Sequence, residues 1–187
     1  MRIISGKYKG RVIKMPKGVR PTQNKVRKAL FDILGDIEGL TVLELFAGSG
    51  AVGIEALSHG AKKVIFVENG PDCIKALKTN LASLLIAEDS LLVSDVSLAI
   101  KRLAEDRKKF DLIFLDPPYH QELVKKTLQT LGAYDILAPV GFIVVQHFKK
   151  DNLPDNSGDL VLFKQAKYGD TNLSFYKKNV PESNISR

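Results

Sequence analysis

The middle of the chain alternates short apolar runs with stretches in which apolar residues recur every three or four positions. Four such pairs follow one another: TVLELF before GAVGIEALSHG, KVIFV before PDCIKALKTNLASLL, SLLVSD before VSLAIKRLAEDRKK, and FDLIFLD before HQELVKKTLQTLGAY. Short apolar runs are typical of buried strands, and the longer period is typical of amphipathic helices. The alternation predicts right-handed βαβ units and an α/β, doubly wound, Rossmann-like and mostly parallel sheet.

The two ends of the chain depart from this alternation. The last apolar runs are GFIVVQHF, DLVLFKQA and TNLSFYKK, and the final two have no helical stretch between them. They predict an antiparallel hairpin that closes the sheet. Near the start, Val26, Leu30, Ile33 and Leu34 recur at helical spacing until Gly35, which predicts a helix before the first strand.

The charge is concentrated at the N-terminus. Residues 1–31 contain ten of the 28 Lys and Arg residues and no acid, which leaves 18 basic against 21 acidic residues, a net −3, in the rest. A basic segment beside a near-neutral domain is typical of polyanion binding. The run IISGKYKGRVIK predicts a β-hairpin around Lys9 and Gly10 that displays these charges. The alternative is a solvated basic face or a loose tail.

Length and composition set the organisation. A chain of 187 residues predicts a single α/β domain. We expect a basic hairpin and helix that bind RNA over 1–37, the main domain over 38–180 and a tail over 181–187. No apolar run approaches the length of a membrane span, and the N-terminus lacks the features of a signal peptide, so we expect a cytoplasmic protein without a membrane partner.

Metal chemistry has little support in the composition. Cys73 is the only cysteine, and it is expected to be a small core residue on a helix. The three histidines, His59, His120 and His147, are too scattered for a metal site. We interpret His147 as structural and the other two as surface residues, and we expect no metal.

A glycine-rich turn follows the first predicted strand. Gly48, Gly50 and Gly53 fit G-x-G-x-x-G, and Glu68 ends the next strand, where a carboxylate can accept ribose hydroxyls. The pattern alone fits a nicotinamide cofactor, another adenosine-bearing cofactor, or a tight packing turn. Glu44, within the strand before the turn, bears on the choice of cofactor, because a buried carboxylate is costly without a partner. The ammonium of a methionine moiety is such a partner, which favours S-adenosylmethionine.

The run DLIFLDPPYHQ places Asp116-Pro117-Pro118-Tyr119 at the end of the fourth strand. Open α/β sheets bind ligands at this edge, and two consecutive prolines make the turn stiff. A carboxylate and a fixed carbonyl that accept the N–H groups of a nucleobase amine would direct its lone pair at a methyl donor. Tyr119 can stack on a base that has left its helix. The alternative is a structural, proline-rich strand end.

These motifs resemble, in order and over nearly the whole chain, the RsmD-type guanine-N2 methyltransferases of small-subunit (16S) ribosomal RNA. The shared stretches include RIISGKYKGR, RPTQNKVRKALFDIL, VLELFAGSGAVGIEALSHGA, DPPY and KYGDTNLSFY. The resemblance implies a class I methyltransferase fold with a seven-stranded sheet and, as partner, ribosomal RNA, either naked or in an assembling subunit.

The resemblance also implies roles for individual residues. Asp95 would bind the adenine amine, and Arg20 and Thr22 would close over the cofactor or the RNA. The expected catalytic residues are Asp116, Pro117, Pro118 and Tyr119. The expected cofactor-binding residues are Thr22, Glu44, Phe46, Ala47, Gly48, Ser49, Gly50, Glu68, Asn69, Asp95 and Val96. The expected RNA-binding residues are Arg2, Lys7, Lys9, Arg11, Arg20 and Arg27.

Two positions depart from the family pattern. Gln146 stands where such proteins often carry Glu, and Asn69-Gly70-Pro71 after Glu68 is unusual. Two other functions stay open at this point. A DNA adenine-N6 methyltransferase uses a similar turn but usually needs a separate target-recognition region, and a non-catalytic RNA-binding protein could keep the same scaffold.

Overall fold

The computed structural model describes residues 1–18, 23–87, 90–118 and 121–179, and these ranges contain five helices and eight strands. The helices are α1 (Asn24–Leu34), α2 (Ala51–Ser58), α3 (Pro71–Ser83), α4 (Val96–Glu105) and α5 (Gln121–Ala133). The strands are β1 (Thr41–Leu45), β2 (Lys63–Glu68), β3 (Leu91–Val93), β4 (Phe110–Leu115), β5 (Leu137–Phe148), β6 (Asn156–Ser157), β7 (Leu160–Tyr168) and β8 (Thr171–Lys178). Among the described residues, no helix is long and apolar enough to cross a bilayer.

All eight described strands belong to one sheet, in the order β3-β2-β1-β4-β5-β8-β7-β6. The first five of these are parallel to one another, whereas β8 runs antiparallel to β5 and β7 runs antiparallel to β8. The doubly wound sheet and the closing hairpin are therefore confirmed. The sheet differs from the expected seven strands by β6, which has only two residues and too short an apolar signal to be predicted.

Helices cover the sheet on both faces. The buried residues of α1, α2 and α3 form one core with sheet residues such as Phe66, Phe114 and Phe175. The buried residues of α4 and α5 form a second core with residues of the opposite face, such as Ile113 and Ile143. Burial on both faces explains why the strands read as continuous apolar runs.

The N-terminal hairpin is looser than predicted. A single antiparallel bridge joins Arg2 to Val12, and the turn between them spans Gly6 and Gly10, which both have positive φ. Ile3 and Ile13 flank this bridge and are buried in the core that contains α1, α2 and α3. The basic segment is thus packed into the main domain rather than attached to it as a separate unit.

Candidate active site

The carboxyl ends of four parallel strands bring the candidate residues to one edge of the sheet. Leu45 of β1 pairs with Val67 of β2 and Leu115 of β4, and Leu115 pairs with Val145 of β5. The residues that follow these four positions along β1, β2, β4 and β5 therefore lie side by side across the sheet. These four residues are Phe46, Glu68, Asp116 and Gln146.

The turn after β1 has an unusual backbone. Gly48 and Gly50 have φ values of 55° and 76°, and Phe46 has a φ of 56°, which is rare for a bulky residue. Strain of this kind concentrates at functional sites. A Cβ added at Gly48 would meet no atom within 4 Å, whereas one added at Gly50 would lie 2.4 Å from a methyl group of Leu77. Gly48 therefore leaves room for a ligand, and Gly50 permits close packing of α3.

The third glycine of the motif has a packing role. A Cβ at Gly53 would lie 2.5 Å from the Phe66 ring and 2.6 Å from the Glu44 carboxylate. Gly53 lies in α2, so its absent side chain lets this helix approach β1 and β2. The G-x-G-x-x-G spacing thus combines one open position with two that serve close packing.

Glu68 joins the end of β2 to the glycine turn. Its Oε2 accepts the N–H of Gly48 at 2.7 Å, and its Oε1 accepts the N–H groups of Asn69 and Gly70 at 2.9 and 2.8 Å. A carboxylate offers about four lone-pair sites, so these three bonds leave capacity for a further donor. The structure therefore orients Glu68 at the site, and its role toward ribose hydroxyls stays a prediction.

Glu44 lies in a row of apolar side chains that crosses the sheet and includes Phe66 and Phe114. It is 4% exposed, and its carboxylate accepts the N–H of Gly53 at 2.8 Å and that of Val52 at 3.3 Å. Burial, together with the charges of Asp116 and Glu68, raises the pKa of Glu44 to about 8 against the effect of these two hydrogen bonds. The partners found here are amides of α2, and the predicted methionine ammonium stays a prediction.

Asp116 lies directly after β4 and is half-buried. Its Oδ2 accepts a hydrogen bond from Nε2 of Gln146 at 2.6 Å. The neighbouring Pro117 is buried and Pro118 is exposed, so the turn is fixed on one side and open on the other. Tyr119, like His120, lies outside the described residues.

The other expected cofactor residues occupy different environments. Asp95 is exposed after β3 and caps α4 by accepting N–H groups of Ser97 and Leu98 at 2.8 and 3.4 Å. The Val96 side chain is buried in the core under α4. Ala47 and Ser49 are buried within the glycine turn, and Asn69 is exposed beside Glu68. Thr22 lies outside the described residues.

Among the described residues expected to bind RNA, four side chains are exposed and one, that of Arg27, is buried. Arg2, Lys7, Lys9 and Arg11 are exposed on the hairpin, as predicted for a surface that contacts phosphates. Arg20 lies outside the described residues. The hairpin is fixed to the domain partly through Arg11, which donates to the carbonyl of Ser83 at 2.8 Å.

Arg27 was expected to bind RNA, and this prediction is wrong. Its side chain is 0% exposed, its Nε lies 3.2 Å from Oε2 of Glu55, and its Nη2 donates to the carbonyl of Arg2 at 2.6 Å. Glu55 also accepts the N–H groups of Ile4 and Ser5 at about 3 Å. The pair therefore holds the N-terminal segment and α1 against α2.

Two histidines near this region also have structural environments. His59, expected at the surface, is only partly exposed, stacks on Phe31 and has its Nε2 2.7 Å from the Ser5 hydroxyl. His147 is buried as predicted, with its Nε2 2.8 Å from the Ser174 hydroxyl, and burial lowers its pKa. Within the described ranges, no group of His, Cys, Asp and Glu side chains could hold a metal ion.

Sequence reasoning missed Asn80, which links the basic segment to the glycine turn. Its amide exchanges two hydrogen bonds with the backbone of Lys14 and donates to the carbonyl of Ser49 at 2.9 Å. The available signal was its position: Asn80 lies in the apolar stripe of α3 with Ala76, Leu77 and Leu81, where a polar side chain needs a buried partner.

Comparison with known proteins identifies the family. Residues 1–177 match the family described as conserved hypothetical protein 95. The chain is 36% identical over 164 residues to the ribosomal RNA small subunit methyltransferase D of Haemophilus influenzae, covering 83% of this chain and 84% of that protein. The chain belongs to the RsmD-type methyltransferase family.

Two further comparisons agree with this assignment. The RsmD-type chain is 40% identical to YlbH of Bacillus subtilis over 182 residues, covering 95% of this chain and 99% of YlbH. A solved Thermus thermophilus structure superposes with a TM-score of 0.83 at 31% identity, covering 95% of this chain and 99% of the other. The fold is that of the class I methyltransferases.

Proposed function

We propose that this RsmD-type protein transfers a methyl group from S-adenosylmethionine to the exocyclic N2 amine of a guanine in small-subunit (16S) ribosomal RNA. The observation that carries the proposal is the position of Asp116, a half-buried carboxylate held at the sheet edge that also bears the glycine turn and Glu68. The name of the H. influenzae relative supports ribosomal RNA as the substrate.

The residues at the edge fit the cofactor. Gly48 faces open space, and the Glu68 carboxylate is fixed beside it with capacity for another donor. Asp95, exposed after β3, would meet the adenine amine, and the buried Glu44, once ionised, would stabilise the methionine ammonium. When bound there, S-adenosylmethionine supplies an electrophilic methyl group.

Asp116 would act on the target amine. The guanine N2 lone pair is delocalised into the ring, so the nitrogen is a poor nucleophile. A carboxylate that accepts one N–H hydrogen favours a pyramidal nitrogen and orients the lone pair for attack. Asp116 would also receive the proton that the nitrogen loses on methylation and would pass it to water.

The exposed basic residues of the hairpin would position the RNA. Arg2, Lys7, Lys9 and Arg11 lie on one surface segment. Contacts with phosphates position a nucleic acid without reading its sequence. Asn80 connects this segment to the glycine turn through hydrogen bonds to the carbonyls of Lys14 and Ser49. We propose ribosomal RNA as the partner, either naked or in an assembling small subunit.

The test is transfer of labelled methyl from S-adenosylmethionine to three substrates: naked small-subunit ribosomal RNA, assembled subunits and duplex DNA. The proposal expects label in ribosomal RNA, recovered as N2-methylguanosine after digestion and mass spectrometry. Label in N6-methyladenine of DNA would indicate a DNA methyltransferase. RNA binding without transfer to any of the three would indicate a non-catalytic protein.

A variant separates chemistry from cofactor binding. Asp116→Ala removes the acceptor for the amine and leaves the glycine turn intact, so turnover should fall by roughly 10²-fold or more while the calorimetric affinity for S-adenosylmethionine stays the same. The control is Asp159→Ala, which removes an exposed aspartate near β7. Turnover of the Asp116 variant within a few-fold of the control would show that the turn is only structural.

A further inference from the structure

Gln146 makes an unusual pair with Asp116. Its Nε2 donates to Oδ2 of Asp116 at 2.6 Å, so the side chain reaches from the end of β5 across to the end of β4. Its Oε1 is buried and, within the described part of the chain, accepts no hydrogen bond. A buried acceptor without a donor loses its hydrogen bonds with water and gains none in exchange, so packing alone does not explain a glutamine here.

The neighbours of Gln146 would suit an apolar side chain. In the sheet register Gln146 pairs with Leu173 of β8, next to a buried row that contains Val144 and Phe175. A leucine at this position would match that row and leave no orphaned oxygen. The glutamine therefore serves the group that it does contact, which is the Asp116 carboxylate.

The other two carboxylates at this edge show what such a contact does. Glu68 is oriented by three backbone N–H groups and Glu44 by two. For Asp116 the N–H of Gln146 plays the corresponding part. A neutral amide orients a carboxylate through one hydrogen bond and leaves its negative charge in place, whereas Lys or Arg would neutralise the charge that the target amine needs.

We propose that Gln146 is a positioning residue, whose amide fixes the Asp116 carboxylate in the orientation that receives the N–H of the target amine. The proposal rests on the proposed methylation of an amine at Asp116. Gln146 acts through Asp116 and is distinct from the residues that contact the cofactor.

Two substitutions test the role. Gln146→Leu removes the N–H donor and should lower kcat by roughly 10- to 100-fold, the range for a small displacement of a reacting group, with unchanged affinity for S-adenosylmethionine. The matched control is Gln165→Leu, since Gln165 donates a similar 3.0 Å bond to Ser174 on the neighbouring hairpin and makes no described contact with Asp116. Its kcat should stay within two-fold of wild type.

Gln146→Glu gives a pH-dependent version of the same contact. At low pH the two carboxyl groups share one proton, and the Glu O–H replaces the amide donor. As pH rises the shared proton is lost and the two charges repel, so kcat should fall relative to wild type. The other acids on this side are Glu44 and Glu68, which are present in both proteins. His147 bonds Ser174 on the opposite face, and Lys149 pairs with Asp170 at the strand end.

An NMR measurement makes the test independent of activity. The side-chain amide signal of Gln146, assigned by its loss in Gln146→Leu, should shift in Asp116→Ala, whereas the Gln165 signal should not. The proposal is overturned by an unshifted signal, by a Gln146→Leu kcat within two-fold of wild type, or by a Gln146→Glu profile parallel to wild type. If wild type methylates no amine while the signal shifts, the proposed function fails and the pairing of Gln146 with Asp116 stands.

Discussion

The Glu44 carboxyl group lies among aromatic rings, and two amides of α2 are its described partners. The sequence predicted that a carboxylate inside an apolar strand needs a partner, because its burial is otherwise costly. It could not predict that α2 would supply the first partner, since that contact depends on how closely Gly53 lets the helix approach β1. The burial itself has a measurable consequence.

The stability of the fold should depend on pH through Glu44. Its pKa rises from 4.5 to about 8 on folding, so between these values the folded protein holds a proton that the unfolded chain releases. The stabilising contribution is therefore complete below pH 4.5 and is lost as pH rises to about 8. Glu44→Gln cannot titrate and should remove this part of the slope.

Urea denaturation of wild type and Glu44→Gln at half-unit steps from pH 4 to 9 measures this effect. The difference between the two unfolding free energies cancels the titration of all other groups, provided that they are undisturbed. The variant should gain stability relative to wild type as pH rises to about 8, with no further change above that. A pH-independent difference would mean that folding does not shift the pKa of Glu44.

At the scale of elements, the sequence predicted the order of strands and helices because both periodicities are strong through the middle of the chain.

The prediction that Arg27 binds RNA was wrong because it assigned the side chain to the exposed face of α1. Arg27 lies three and four residues before Leu30 and Phe31, on the buried stripe of α1. Glu55 is the single acid in the otherwise apolar α2. An Arg and a Glu on two apolar stripes together indicate a buried ion pair, which neither residue indicates alone.

Breaking this ion pair should be costly. Arg27→Ala leaves Glu55 buried without its counter-charge, which typically costs about 3–5 kcal/mol. The neighbouring Lys28 gives a matched control, because it pairs with Asp32 on the exposed side of the same helix at 2.8 Å. Lys28→Ala should change the unfolding free energy by no more than about 0.5 kcal/mol, the value for such exposed helix pairs.

Denaturant unfolding of both variants checks the contrast, and amide exchange reports where the structure loosens. In Arg27→Ala the backbone amides of Ile4 and Ser5, which donate hydrogen bonds to the Glu55 carboxylate, should lose protection from hydrogen exchange before the amides of the strands do. Equal stabilities of the two variants would show that the buried pair contributes no more than an exposed one.

At the scale of the whole molecule, the sequence placed most of the candidate site correctly at one edge, because the carboxyl ends of parallel strands must meet there. The sequence did not predict the contacts between distant segments of the chain. Asn80 joins Lys14 to Ser49, and Gln146 joins Asp116 across two strands, and such pairs depend on the register and packing of the finished sheet. The charge asymmetry was readable directly, although one of its ten basic residues, Arg27, is buried.

The exposed part of that asymmetry should set the salt dependence of RNA binding. Lys7, Lys9 and Arg11 project from the hairpin, and replacing all three with Ala should weaken binding to RNAs of different sequence alike. Each lost phosphate contact flattens the slope of log affinity against log salt by roughly 0.7 to 0.9, so the triple variant should differ from wild type by about 2 to 3 units.

The control replaces three exposed basic residues on the opposite face of the sheet, Lys101 and Arg102 of α4 and Lys126 of α5. It removes the same net charge, so an effect of total charge alone would change both slopes equally. Titrations at four salt concentrations, with the affinity for S-adenosylmethionine measured in parallel, distinguish the cases. A hairpin variant with the control's slope would assign RNA binding to another surface, whereas a flatter slope with unchanged cofactor affinity assigns the phosphate contacts to residues 7–11.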